Sequence, residues 1–94
     1  MASLENKKIM IINKESSYSE LIKECSNTVP QQGFTIDEMK KRLRIHSACT
    51  DAETLQFEHA DAEKVKELVK TMRWGVFSEK IIEFCGDIEN MENK

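Results

Sequence analysis

Apolar positions along the chain fall into four stripes with helical spacing and two short runs with strand-like spacing. Tyr18, Leu21, Ile22 and Cys25 recur at i, i+3, i+4, i+7, as do Val65, Leu68, Val69 and Met72, and each set predicts one buried helical face. Ile36, Met39 and Leu43 form a shorter stripe, and Ile81, Ile82, Cys85 and Ile88 predict a last helix with these residues inward. Residues 8–13 (KIMIIN) read as a strand apolar on both faces, followed by a polar Lys-Glu-Ser-Ser turn. Residues 54–59 alternate, with Leu55 and Phe57 inward, and give a second strand with one wet face.

Helix boundaries carry their own signals. Thr35 and Glu38 make a capping box, with Phe34 and Met39 at the two positions of a hydrophobic staple, so a helix starts at residue 35 and runs to about residue 49. Ser17 and Glu20 make a second box, and that helix stops ahead of Pro30. Asp61 is placed to cap the third helix, Gly75 to end it in the left-handed conformation, and Ser78 to cap the fourth. At about 100° per residue Ile45 points opposite to Ile36, so the second helix either is covered on both faces or bends near Ser47. The expected order is β-α-α-β-α-α: an α+β, mainly helical fold in which about four helices cover one small two-stranded sheet. Residues 1–94 form a single small domain, with 1–6 and 90–94 expected to fray.

Composition supports this reading. Three Gly and one Pro in 94 residues argue against a loop-rich or all-β chain. The net charge of −3 is uneven: residues 1–34 balance to zero, 35–50 carry +2 and 51–94 carry −5. An acidic molecule with one small basic patch is not built for wholesale nucleic-acid binding. Cys25, Cys49 and Cys85 are odd in number and lie in apolar helical settings, which points to free thiols in a reducing compartment. The apolar run near the N-terminus is too short for a signal peptide or a membrane span, so a cytoplasmic location without membrane contact is expected.

Lys40, Lys41, Arg42 and Arg44 put four cations within five residues, and as solvated side chains they could meet phosphates or an acidic protein. Trp74 closes the third helix beside a chain reversal, either as a lid on the core or as an interface anchor. His46 and Cys49 stand three apart, yet nothing forms a paired-ligand motif, so neither a metal nor any cofactor is expected. No pattern assembles nucleophile, base and oxyanion donors, so the chain reads as a non-enzyme. The strand at residues 8–13 needs cover on both faces, which predicts a homo-oligomer with Ile9 and Ile11 at the contact.

Two resemblances follow from these residues. Strand, helix, Gly-containing turn and capped helix in the first half are similar to ribbon-helix-helix repressors. That resemblance implies base reading by Lys8, Met10 and Ile12 or by Ile9, Ile11 and Asn13, and both triads are mainly apolar, a departure from such a role. Residues 33–45 (GFTIDEMKKRLRI) and 55–84, with Glu58-His59-Ala60-Asp61, Arg73-Trp74 and Ile81-Ile82-Glu83-Phe84, resemble small uncharacterised proteins of bacteriophages and prophages. The match covers about two thirds of the chain; His46-Ser47-Ala48 and the helix around residues 21–25 depart from the pattern. It implies a phage context in a bacterial host and no catalytic residues. The leading expectation is an accessory protein that binds another protein, in assembly or as a modulator of a host machine. The alternative is a nucleic-acid-binding regulator using the basic helix.

Overall fold

Side-chain caps start three helices where the sequence places them. In the computed structural model, which describes residues 1–75 and 78–91, Ser17 accepts from the Glu20 amide at 3.2 Å and opens α1 (Tyr18–Asn27). Thr35 accepts from the Glu38 amide at 3.1 Å and opens α2 (Ile36–Ala48), and Ser78 accepts from the Lys80 amide to open α4 (Glu79–Glu89). The remaining helix, α3 (His59–Thr71), starts earlier than its Asp61 signal: Glu58 occupies the cap position without a side-chain bond. Asp61 is instead buried in the first turn, where it accepts from Arg44 at 3.1 and 3.2 Å. The buried charge takes a cationic partner in preference to capping. Gly75 is not in the left-handed region; α3 ends at Thr71, and Met72 turns the chain into extended geometry.

The fold is α+β and mainly helical, with the expected order of helices and with more strand than the sequence indicated. Residues 1–6, expected to fray, supply strand β1 (Ala2–Glu5), which pairs antiparallel with β4 (Thr54–Phe57) in the register Ala2↔Phe57 and Leu4↔Leu55. All four of those side chains are buried. Strand β2 (Lys8–Ile11) does not pair with β4. It folds back on β3 (Lys14–Ser17), the segment read as a turn, so two separate two-stranded sheets replace the single one expected.

The hairpin turn is Ile12-Asn13, with φ of +46° and +62°. A two-residue turn with both residues left-handed matches the twist of the flanking strands, which is why it forms. A β-branched residue in this region costs about 1 to 2 kcal/mol, so Ile12 is strained.

One hydrophobic cluster joins the elements. Tyr18, Leu21, Ile22 and Cys25 of α1, Val65, Leu68 and Val69 of α3, and Ile81, Phe84 and Ile88 of α4 are buried in it, with Leu55 and Phe57 of β4. Phe84 meets Tyr18 edge-on, ring centroids 4.9 Å apart, and replaces Ile82, which the spacing had placed inward and which lies largely exposed. Met91 is buried too, so packing continues past residue 90; the rest of the expected acidic fray, 92–94, lies outside the described residues.

Candidate interaction surfaces

Helix α2 is the element whose orientation departs most from its hydrophobic pattern. Of its apolar residues only Ile45 is fully buried in the core, whereas Ile36 is 67% exposed, Leu43 60% and Met39 41%. The stripe expected to face the core faces solvent.

The reason lies in the charged side chains on the opposite side. Arg42 donates to the backbone carbonyl of Thr28 at 2.8 Å, reaches that of Ser26 at 3.5 Å, pairs with Glu38 at 3.3 Å and stacks over the Phe34 ring at 4.8 Å. These bonds satisfy carbonyls left open at the end of α1 and fasten α2 to it. Glu38 also holds the Lys64 ammonium of α3. The Lys64 hydrogen bond, with Arg42 behind it, keeps the Glu38 carboxyl below the ordinary glutamate range. Glu38 is thus drawn to Lys64 and Arg42, and of the capping box the Thr35 half stands in the structure.

The basic cluster is accordingly not one solvated patch. Lys41 pairs with Asp37 at 3.3 Å, Arg42 with Glu38, and Arg44 with Asp61, while Lys40 makes no ion pair among the described residues. At about 100° per residue Lys40 stands about 40° beyond Ile36, on the side away from Leu43 and Met39, at the edge of the outward stripe. On the other flank of the stripe Phe34, Met39, Leu43 and His46 line a small groove of about 110 Å³ against the end of α1.

The other candidates are scattered. Trp74 is half-buried edge-on against Phe84, centroids 6.0 Å apart, and lines a groove of about 400 Å³ with Ile11, Ile12, Leu21, Met72 and Ile81. Ile9 and Ile11 are half-buried on the inner face of the hairpin and pack on the core; the outward residues are Met10, 56% exposed, and Ile12, 70% exposed. Among the described residues no His, Cys, Asp and Glu cluster in a way that could hold a metal, and His46 and Cys49 are not brought into one. Burial pushes the Cys25 thiol up to about 12 and the Cys49 thiol up to about 11, which leaves both protonated and poorly nucleophilic at neutral pH.

One polar group gave no signal in the sequence. The buried Tyr18 ring sends its hydroxyl to Asp87 at 2.6 Å, and Lys7 reaches the same carboxylate at 3.2 Å, at the edge of an open cleft of about 690 Å³ that also holds Glu5, Lys8, Glu53, Lys80 and Glu83. Burial first, and then the hydrogen bond to Asp87, raises the Tyr18 phenol above its usual value, so it acts as a hydrogen-bond donor and not as a base. The Tyr18 bond, with Lys7, holds Asp87 below the usual carboxylate range. This triad ties the start of α1 to α4.

No helix among the described residues is long and apolar enough to cross a membrane. Compared with known proteins, the sequence matches no family model, no curated protein and no solved structure.

Proposed function

We propose that the chain is a small phage-type accessory protein that works in the bacterial cytoplasm by binding another protein through the outward face of α2, either in assembly or as a modulator of a host machine. The observation that carries this reading is the exposure of Ile36, Met39 and Leu43 on a well-capped helix that is fastened to the fold by its other side. An apolar stripe rimmed by charge, on a helix already held in place, is the kind of surface that receives an amphipathic partner helix.

Charge selects the partner. A second copy laid antiparallel on this face brings Lys40, at the edge of the stripe, toward its own symmetry mate. A partner with apolar residues at i, i+3 and i+7 and a carboxylate opposite Lys40 meets no such conflict. The nucleic-acid alternative would use the same helix, but Lys41, Arg42 and Arg44 already hold carboxylates, which leaves Lys40 as its main footing.

Capture from host extract with wild type and with the double variant Ile36→Ser/Leu43→Ser tests the proposal. A protein retained by wild type and lost from the equally stable variant is the expected result. Identical capture by both would remove this face. Filter binding of nucleic acid at two salt concentrations, flat and weak in wild type, separates the alternative.

A further inference from the structure

We propose that two copies of the chain pair antiparallel through the free edge of β2, centred on Met10, to make one four-stranded sheet in the order β3-β2-β2-β3. This surface is distinct from the α2 face, and the proposal does not depend on it.

The hairpin register decides which edge is available. Its two-residue turn closes on Ile11 and Lys14, and the Tyr18 amide donates to the Lys7 carbonyl at 2.9 Å, so the Lys7 carbonyl and the backbone groups of Ile9 and Ile11 face the β3 side. By alternation the N–H and C=O groups of Lys8 and Met10 face away from β3. Among the described residues they meet no other backbone partner. A short unpaired edge carrying exposed Met10 and Ile12 is a template for another strand.

That strand is best supplied by the same edge. Placing the two-fold axis at Met10 sets Met10 against Met10, with a reciprocal pair of N–H to C=O bonds, and sets Lys8 beside Ile12 of the other copy. No like charges are opposed, and the Lys8 ammonium keeps its own Glu15 partner at 3.8 Å on the same hairpin. On the inner face Ile9 comes opposite Ile11 of the second copy, which extends the apolar side of both sheets. Two marginal two-stranded sheets become one of four strands.

Ile12 is a second, independent observation. An exposed β-branched residue in left-handed geometry is unfavourable for the isolated hairpin, where Asn or Gly would serve. Beside Lys8 and Met10 of a second copy its side chain has a use.

Sedimentation equilibrium of the full chain at two concentrations about tenfold apart reads the mass, and Met10→Pro is the informative variant. Proline deletes the Met10 N–H, which lies on the two-fold axis at the open edge, and leaves the β3 ladder intact. Wild type should move toward two chains on concentration, and Met10→Pro should stay at one chain with an unchanged circular dichroism spectrum. Should proline disturb the hairpin, Met10→Lys takes its place and should give the same result. Amide exchange in wild type should slow at Lys8 and Met10 on concentration, with Ile9 and Ile11 unchanged. A wild-type mass of one chain at both concentrations would overturn the proposal. So would a dimer that survives both Met10 variants, or one that is lost with Leu43→Asp instead.

Discussion

Helices α1 and α2 begin alike and end up facing opposite ways. Each opens on a hydroxyl that accepts from the third amide, and each carries apolar residues at helical spacing, yet α1 buries Tyr18, Leu21, Ile22 and Cys25 while α2 turns Ile36, Met39 and Leu43 to solvent. The difference lies in what the other side of each helix offers. Around its stripe the buried hydroxyls of α1, Ser19 and Ser26, find partners close by in sequence, at Ser17 and the Lys23 carbonyl. Opposite its stripe α2 carries Ile45 with Arg42 and Glu38, whose partners are carbonyls of residues 26 and 28 and the Lys64 ammonium. Burying Ile36 and Leu43 would pull those charges away from partners that keep them satisfied, at several kcal/mol per desolvated ion. Periodicity says that a helix has an apolar face; it does not say that the face points inward.

The largest test of the contrast is truncation at matched positions. Ile22→Ala in α1 and Ile45→Ala in α2 should each cost about 2 to 4 kcal/mol, because both residues are fully buried and leave a cavity. Urea unfolding measures this, and equal midpoints for wild type and Ile45→Ala would mean that α2 is not seated by that residue.

Next comes Arg42→Ala, expected to cost about 1.5 to 3 kcal/mol, since it removes charge-assisted bonds to two carbonyls and strips Glu38 of a partner. This corrects the expectation that all four cations are solvated and can be replaced at little cost: Lys40→Ser should stay within about 0.5 kcal/mol. The same contact makes α2 acid-sensitive. The folded carboxyl of Glu38 sits below its unfolded value, so its contribution is fully present above the ordinary glutamate range and is lost as pH falls through the lowered folded value. Glu38→Gln should flatten that part of the stability-versus-pH curve, and a curve identical to wild type would disprove the linkage.

A smaller effect is expected at the caps, where the two helices should agree. Thr35→Ala and Ser17→Ala each remove one side-chain bond to an amide and should each lower stability by about 1 kcal/mol in urea.

Those caps were legible because capping is local: Ser17 and Thr35 need only the next three residues. Strand β4 and the stripes of α1 and α3 were legible for a similar reason, since one face of each is continuous and meets the common core. Strand β1 was not, because Ala2 and Leu4 give an alternation of only two apolar residues, and the partner that makes it a strand lies at residues 54–57. The hairpin was hidden by its turn. Ile12-Asn13 lacks the glycine that usually announces two left-handed residues, so residues 14–17 read as polar turn. The orientation of α2, and with it the candidate site, was hidden by long-range partners: nothing near Arg42 in sequence indicates that its acceptors lie at the end of another helix. The identity of the four cations was readable, whereas their pairing, which leaves Lys40 alone at the edge of the stripe, was not.

The smallest expected effect is the most diagnostic of the contrast. Leu43→Ser should change stability by no more than about 0.5 kcal/mol, because most of the side chain is already in water and its removal from the folded state loses little contact. The same chemical change in α1, Leu21→Ser, removes a buried side chain and adds a hydroxyl to the core, at about 3 kcal/mol or more. If both variants cost alike, the α2 stripe is covered within the fold and the docking face proposed here does not exist. If Leu43→Ser is neutral in urea yet abolishes capture of the acidic partner, the apolar character of the stripe serves a contact outside the chain. An exposed leucine alone needs no explanation. Three at helical spacing beside a lone lysine, on a helix bolted down from behind, form a surface with a direction, and the pair of Leu→Ser variants separates what that surface does for folding from what it does for binding.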